Sequence, residues 1–375
     1  MILVLTVCLT FQAQPVDISD ALKGLRDKND LPGLVALAVQ GDRVAAQGAA
    51  GVRKRGADAA MTINDRVHLG SCTKSMTATL IAILVAEKKL AWTTTVGDAF
   101  PRLKESMHPD WRGVTLEQLL THRGGAPANL DADGLWGRLW NHKGSPTEQR
   151  LALVDGVVRR KPDTKPGGKY IYSNAGFAIA GAIAETTMRE PWESLMQERI
   201  FKPLGMSSAG FGPPGSKDSL DQPRGHDAEG RPVEPGPGAD NPAAIGPAGT
   251  VHCSLGDWAK YAFIHARMDP NGSKKPPRGA EGFLKALKPP AFEKLHAPPG
   301  IGEPRYAMGW IVADRDWADG PVLTHAGSNT MWFAVVWLAP KKDLALLAAT
   351  NQAGDKAAAA CDAAVVELLQ AVQKK

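Results

Sequence analysis

Short apolar runs bounded by turn residues mark both ends of the chain, and helix-like patterning marks its middle. Residues 34–40 and 43–50 lean apolar and meet at Gly41-Asp42, which predicts a β-hairpin with a tight turn. Near the C-terminus, residues 306–313, 321–324, 331–338 and 344–350 read as strands, followed by a helix over 356–373. Between these regions, residues 74–88, 116–121, 149–160, 175–187, 192–199 and 255–267 carry helical patterning. The expected architecture is α+β: strands from both ends form one sheet, an inserted and mostly helical lobe packs against it, and a cleft lies between them. Two stretches, 211–249 and 270–299, are dense in proline, glycine or charge and read as long surface loops.

Composition narrows this picture. With 375 residues, 43% hydrophobic and 22% charged, the chain can bury a large core, as one large domain or two lobes sharing a cleft. The net charge of +5 is spread along the chain, with its densest cluster at Arg53-Lys54-Arg55, so nucleic acid is not the expected partner. Residues 1–11 form an apolar run of signal-peptide length, too short for a stable transmembrane anchor. The expectation is a signal peptide over 1–15 and an exported protein, periplasmic or secreted. One catalytic domain would then cover 16–375, with an α/β lobe over about 16–70 and 300–375 and a helical lobe over about 71–299. Beyond Cys8 there remain Cys72, Cys253 and Cys361, an odd number without paired spacing, so neither a disulfide framework nor a zinc site is indicated.

Candidate chemistry begins at Ser71-Cys72-Thr73-Lys74, which opens a long apolar run. Residues three apart share a helical face, so Lys74 can bring its amine to the Ser71 hydroxyl, and the helix N-terminus favours a developing alkoxide. The run is apolar nearly all round, which implies burial, and a buried lysine loses its proton more readily. Serine is also a common helix N-cap and the S-x-x-K spacing is short, so the pair gains weight from its setting: a plain core would place leucine or alanine where Lys74 stands.

Tyr172-Ser173-Asn174 follows the turn Pro166-Gly167-Gly168 and precedes a helix of small residues. In an extended stretch Tyr172 and Asn174 face one site; a nearby ammonium would pull the Tyr172 phenol's pKa down and let it relay the Ser71 proton to a leaving group. Asn174 offers a donor and an acceptor to a substrate amide or ester. Alone, the motif reads equally well as a satisfied core tyrosine and a helix-capping asparagine. His325-Ala326-Gly327-Ser328 lies beside a strand, where the glycine allows close backbone approach. The other eight histidines lack metal-ligand spacing.

In this order, S-x-x-K, Y-x-N and H-x-G resemble the serine β-lactamase and penicillin-binding-protein superfamily, and most closely its class C-like branch of esterases and D-amino-acid peptidases. The resemblance extends over roughly residues 20–370, through 114–122, 172–185, 200–206 and 247–249. It implies a β-lactamase-like fold, Ser71 as nucleophile, Lys74 as its base and Tyr172 as proton shuttle. It also implies an oxyanion hole from the backbone N–H groups of Ser71 and Ser328, and a substrate site lined by Asn174, His325, Gly327 and Ser328. No metal or organic cofactor is implied.

One departure bears on substrate. Many family members that act on β-lactams or D-alanyl peptides carry Lys-Thr-Gly where this chain has His325-Ala326-Gly327, losing a fixed positive charge and a hydroxyl that bind a carboxylate. The expectation is therefore an esterase, or an amidase or peptidase, on a small acyl substrate. A true β-lactamase or DD-peptidase is the alternative on the same residues, and a non-catalytic sensor or scaffold the alternative of another class. Trp136 and Trp140, four apart, are candidate walls of the site or simply a helix-packing pair.

Overall fold

The computed structural model describes residues 14–268, 274–300 and 302–374, so the expected signal segment lies almost wholly outside the described residues. Its centre is an eight-stranded sheet built from both ends of the chain. In chain order its strands are β1 (Val16–Asp17), β2 (Gly33–Gln40), β3 (Arg43–Gly51), β4 (Tyr306–Ala307), β5 (Trp310–Arg315), β6 (Gly320–Ser328), β7 (Phe333–Ala339) and β8 (Leu344–Thr350). Across the sheet they run β1-β3-β2-β8-β7-β6-β5-β4. All neighbours are antiparallel except β1 and β3. The hairpin of β2 and β3 turns at Gly41, whose φ of +61° suits a residue without a Cβ.

The pairing of β8 with β2, Leu347 opposite Leu37, closes the two ends of the chain into one sheet. Both strands are apolar at nearly every position because both of their faces are covered. Leu34, Ala36, Ala38, Leu346 and Ala348 face the helices Ser19–Asn29 and Asp355–Gln373. Val35, Leu37, Ala345, Leu347 and Ala349 face the main core, which continues into the buried helix Thr73–Ala86 and the helix Leu255–Arg267.

Several expectations need correction. Residues 306–313 are not one strand: Met308 and Gly309, both at positive φ, turn the chain between β4 and β5. An added Cβ on Gly309 would lie 2.5 Å from Ser75, so glycine lets this turn press on the Thr73–Ala86 helix. Strand β6 runs on through His325 to Ser328 rather than ending at Thr324. The stretches 211–249 and 270–299 are not mere surface loops. In the first, Arg224, His226 and Asp240 are buried, as is the segment Gly246–Gly249. In the second, the short helices Glu281–Ala286 and Pro289–His296 bury Phe283, Phe292 and Leu295.

The helical body is tied by a buried ionic cluster. Arg150, on the helix Pro146–Val158, donates to both oxygens of Glu185 at 2.7 and 3.0 Å, to both of Glu193 at 2.7 and 3.1 Å, and to the Ala243 carbonyl at 2.9 Å. Glu185 closes its own coordination by accepting from the Thr147 hydroxyl and the Trp192 amide. Removing one member of such a cluster strands the remaining buried charges. Arg150→Ala should lower the unfolding free energy by about 3–5 kcal/mol in urea titration. Arg159→Ala, which removes only an exposed pair with Asp155, should cost no more than about 0.5 kcal/mol. Equal losses would contradict this account of the cluster.

Candidate active site

The site is built where the chain turns from a short strand into the buried helix. Arg66–His68 pairs with Val251–Ser254, and the Leu69 amide extends this pairing to the Val251 carbonyl. Gly70, at φ +49°, then starts a 3-10 turn, Gly70–Cys72, which runs directly into Thr73–Ala86. Strand β6 presses against this turn. A Cβ on Gly70 would stand 2.4 Å from the Ser328 nitrogen, and one on Gly327 would stand 2.1 Å from the Leu69 carbonyl and 2.6 Å from the Ser71 nitrogen. Only glycine at both places lets the two backbones meet, which brings the peptide N–H groups of Ser71 and Ser328 to neighbouring positions.

Lys74 is fully buried at the start of the helix. Its Nζ lies 2.9 Å from Ser71 Oγ, 2.7 Å from Asn174 Oδ1 and 2.8 Å from the Ala248 carbonyl. Burial lowers its pKa to about 7. A neutral amine has two N–H donors and one lone pair; the Asn174 and Ala248 oxygens can only accept, so they take the donors and the lone pair is left for the Ser71 hydroxyl. On gaining a proton the group can donate to all three oxygens while lying 4.8 Å from the Tyr172 ring centroid and 5.7 Å from that of Phe177. Both protonation states are thus accommodated without movement, which is what a reversible base needs.

Tyr172 stands beside Ser71, but its phenol behaves differently from the sequence expectation. Burial raises its pKa, and the Ser71 side chain only partly offsets this. Lys74 meets the ring face rather than the hydroxyl, so the ammonium does not pull the phenol toward ionisation. Tyr172 therefore remains an O–H donor at neutral pH. Asn174 caps this arrangement as the first residue of the helix Asn174–Met188, and its side-chain oxygen is spent on Lys74.

His325 does not line an open surface: it is 4% exposed. Its Nε2 lies 3.1 Å from the Tyr306 hydroxyl and its Nδ1 2.6 Å from the Ala326 carbonyl. Burial and the neighbouring Lys74 push its pKa down to about 3. It is a neutral ring behind the site, while the exposed residues of this edge are Ala326 and Ser328. Beside Asn174 a cavity of about 210 Å³ is walled by Pro127, Leu130 and Trp136. Trp140 meets Trp136 edge-on at 6.1 Å and is outside that wall.

The Beta-lactamase family profile matches residues 18–370. The chain belongs to the β-lactamase family. Penicillin-binding protein 4 of Amycolatopsis lactamdurans is 26% identical over 87% of this chain and 82% of its own length. A β-lactamase of Pseudomonas fluorescens is 24% identical over 69% of this chain and 66% of itself. An unguisins hydrolase of Aspergillus violaceofuscus is 27% identical over 74% of this chain, which spans about half of that relative, 51%. Among solved structures, the octameric penicillin-binding-protein homologue from Pyrococcus abyssi superposes with a TM-score of 0.73 at 23% identity, covering 94% of this chain and 76% of that one. SurE superposes equally, at 0.73 and 20% identity, over 94% and 74%. At these identities the structural likenesses show the fold: a central sheet flanked by helices, as in the family.

Within this β-lactamase-family fold, Ser71, Lys74, Tyr172 and Asn174 converge, with Gly327 and Ser328 bordering them. Two residues to which sequence reasoning assigned no role are buried behind this group. His122, at φ +58°, stacks 4.4 Å from Tyr172, 4.6 Å from Tyr306 and 5.1 Å from Phe177, and its Nδ1 accepts from the Ser173 amide at 3.1 Å. Its carbonyl accepts from the Ile171 amide at 2.9 Å, so backbone and ring together align Tyr172. The next residues continue the template: the Arg123 carbonyl accepts from the Gly167 amide, and Gly125 at φ +76° packs where a Cβ would stand 2.4 Å from the Thr164 carbonyl. The signal was Thr121-His122-Arg123-Gly124-Gly125, whose meaning depends on contacts 40 to 50 residues away. The second residue, Asp240, lay in a stretch that reads as a loop.

A base at Lys74 could take the Ser71 proton only while unprotonated, so turnover that relied on it would fall as pH drops through the lysine's pKa, about 7. For any ester the site cleaves, kcat/KM should fall roughly tenfold per pH unit in the acid limb and reach a plateau above about pH 8. Tyr172 ionisation should add no decline until strongly alkaline pH. A profile flat from pH 5 to 9 would remove Lys74 as the base.

Proposed function

We propose that the chain is an exported acyl-serine hydrolase that cleaves a small neutral ester, or an amide or peptide of similar size, through an acyl-enzyme on Ser71. The observation that carries this reading is the buried Lys74 amine 2.9 Å from Ser71 Oγ, with its remaining donors held by Asn174 and Ala248. Such a lysine is costly to bury and has no packing purpose beside a serine.

In this reading Ser71 Oγ–H passes its proton to Lys74 Nζ as Oγ attacks the substrate carbonyl. The Ser71 and Ser328 N–H groups receive the oxyanion. As the tetrahedral adduct collapses, the Tyr172 hydroxyl gives its proton to the leaving group, while Lys74 keeps the proton it took from Ser71. Water then attacks the ester of Ser71, giving a proton to the Tyr172 phenolate, and Lys74 returns its proton to Ser71 Oγ as the acyl group leaves. The phenol's raised pKa keeps it protonated until it is needed, and an alkoxide or amide leaving group is still the stronger base and can take the proton.

Substrate preference follows from charge. A neutral His325, where many family members that act on β-lactams or D-alanyl peptides hold a lysine, offers no cation to a substrate carboxylate, and the cavity beside Asn174 and Trp136 carries the Asp131 carboxylate, which would repel one. Both favour an uncharged acyl group. The relatives named penicillin-binding protein and β-lactamase favour the second reading, a β-lactamase or DD-peptidase with the same four groups. Export rests on the apolar residues 1–11; among the described residues no helix is long and apolar enough to cross a membrane.

Intact-mass spectrometry after incubation with a fluorophosphonate, beside assays with p-nitrophenyl butyrate and nitrocefin, separates these readings. The expected result is one adduct that Ser71→Ala abolishes, butyrate ester cleaved and nitrocefin spared. Rapid nitrocefin turnover would favour the β-lactamase reading. Folded protein with neither adduct nor turnover would leave a non-catalytic binding protein.

A further inference from the structure

Behind the Ser71 turn lies a buried polar chain that the proposed reaction does not use. His68 is completely buried; its Nδ1 accepts from the Gly70 amide at 3.1 Å, which leaves Nε2 carrying the proton toward Asp240 Oδ2 at 2.8 Å. The other carboxylate oxygen, Asp240 Oδ1, accepts from the Asn329 side-chain amide at 3.0 Å and from the Asn241 backbone at 2.7 Å. Asn329 is itself buried, and its Oδ1 accepts from the Met331 amide at 3.2 Å. One carboxylate, 5% exposed, therefore grips two distant pieces of chain. Through His68 it holds the residue before Ser71, and through Asn329 the residue after Ser328.

We infer that Asp240 is a positioning residue for the oxyanion hole, setting the Ser71 and Ser328 N–H groups relative to each other through His68 and Asn329. This rests on the hydrolase reading above. The physical reason is that the two donors belong to different elements, the 3-10 turn and the end of β6, and Gly70 and Gly327 have no side chains with which to lock them. Contact without a clamp leaves them free to slide, and oxyanion donors act only when held within tenths of an ångström of their mark. A buried carboxylate accepting three hydrogen bonds is a stiff clamp, because releasing any of them leaves charge uncompensated. An amide in its place cannot serve both sides: Asp240→Asn keeps the shape but turns one acceptor into a donor facing a donor.

The test compares Asp240→Asn with wild type in p-nitrophenyl butyrate hydrolysis and in inhibition by butylboronic acid, whose adduct with a serine places an oxygen in the hole. Expected are a kcat reduced about 10–100-fold, KM within about twofold, and boronic acid affinity weakened by the same factor as kcat. Leu368→Ala, a core truncation against the opposite face of the sheet, should lose stability yet keep both values. Amide NMR reads the clamp without catalysis: Asp240→Asn should move both the Gly70 and the Ser328 resonances. Unmoved amides, or a loss confined to KM, would overturn the inference. A wild type that cleaves no ester and binds no boronic acid would sink the hydrolase reading instead, while the amide shifts would still decide the clamp.

Discussion

The site depends on keeping one lysine out of water. Lys74 is surrounded because the Thr73–Ala86 helix is apolar on nearly every side and because the segment 247–251 closes over its first turn. The polar residues of that turn serve the closure. Thr73 Oγ1 accepts from the Val251 amide, Thr77 Oγ1 donates to the Pro247 carbonyl, and Lys74 itself donates to Ala248. Pro247 in turn packs where a Cβ on Gly181 would stand 2.3 Å from its ring, so the small residues of the Asn174–Met188 helix bring a third element to the lysine. Desolvation shifts the amine toward neutrality, and the fixed oxygens around it determine where its lone pair points.

The sheet supplies the other half of the site. Strands covered on both faces are held rigidly by their cores, and β6 carries that rigidity to the turn holding Ser71. The approach is so close that two glycines are obligatory, and a buried carboxylate is stationed behind the junction. The groups proposed as base, proton donor and oxyanion donors thus come from three regions that are distant in sequence and meet at one point.

Much of this was legible in the chain. The hairpin of β2 and β3, the C-terminal strands and helix, and the pairing of Ser71 with Lys74 each rest on local patterns: alternation, turn residues and a three-residue spacing. What was not legible depended on partners far along the chain. Asp240 sits among prolines and glycines that read as a loop, and its meaning appears only with His68 and Asn329 beside it. The direction of the Tyr172 shift was misjudged because proximity to an ammonium was assumed, whereas the ring face turned toward Lys74 leaves burial dominant. The resemblance implied His325 as a substrate contact, but no local pattern in the chain says which other element will cover it, and here Tyr306 packs against its Nε2.

The central claim is that Lys74 is neutral when Ser71 attacks. Selective ¹³C labelling of lysine Cε and NMR titration of the wild type, with Lys74→Met identifying the resonance, tests it most directly. The account predicts one lysine signal titrating near pH 7, about 7 being the value that burial dictates, well separated from the surface lysines. A Lys74 signal that stays protonated to pH 10 would contradict it, and the base would have to be sought elsewhere.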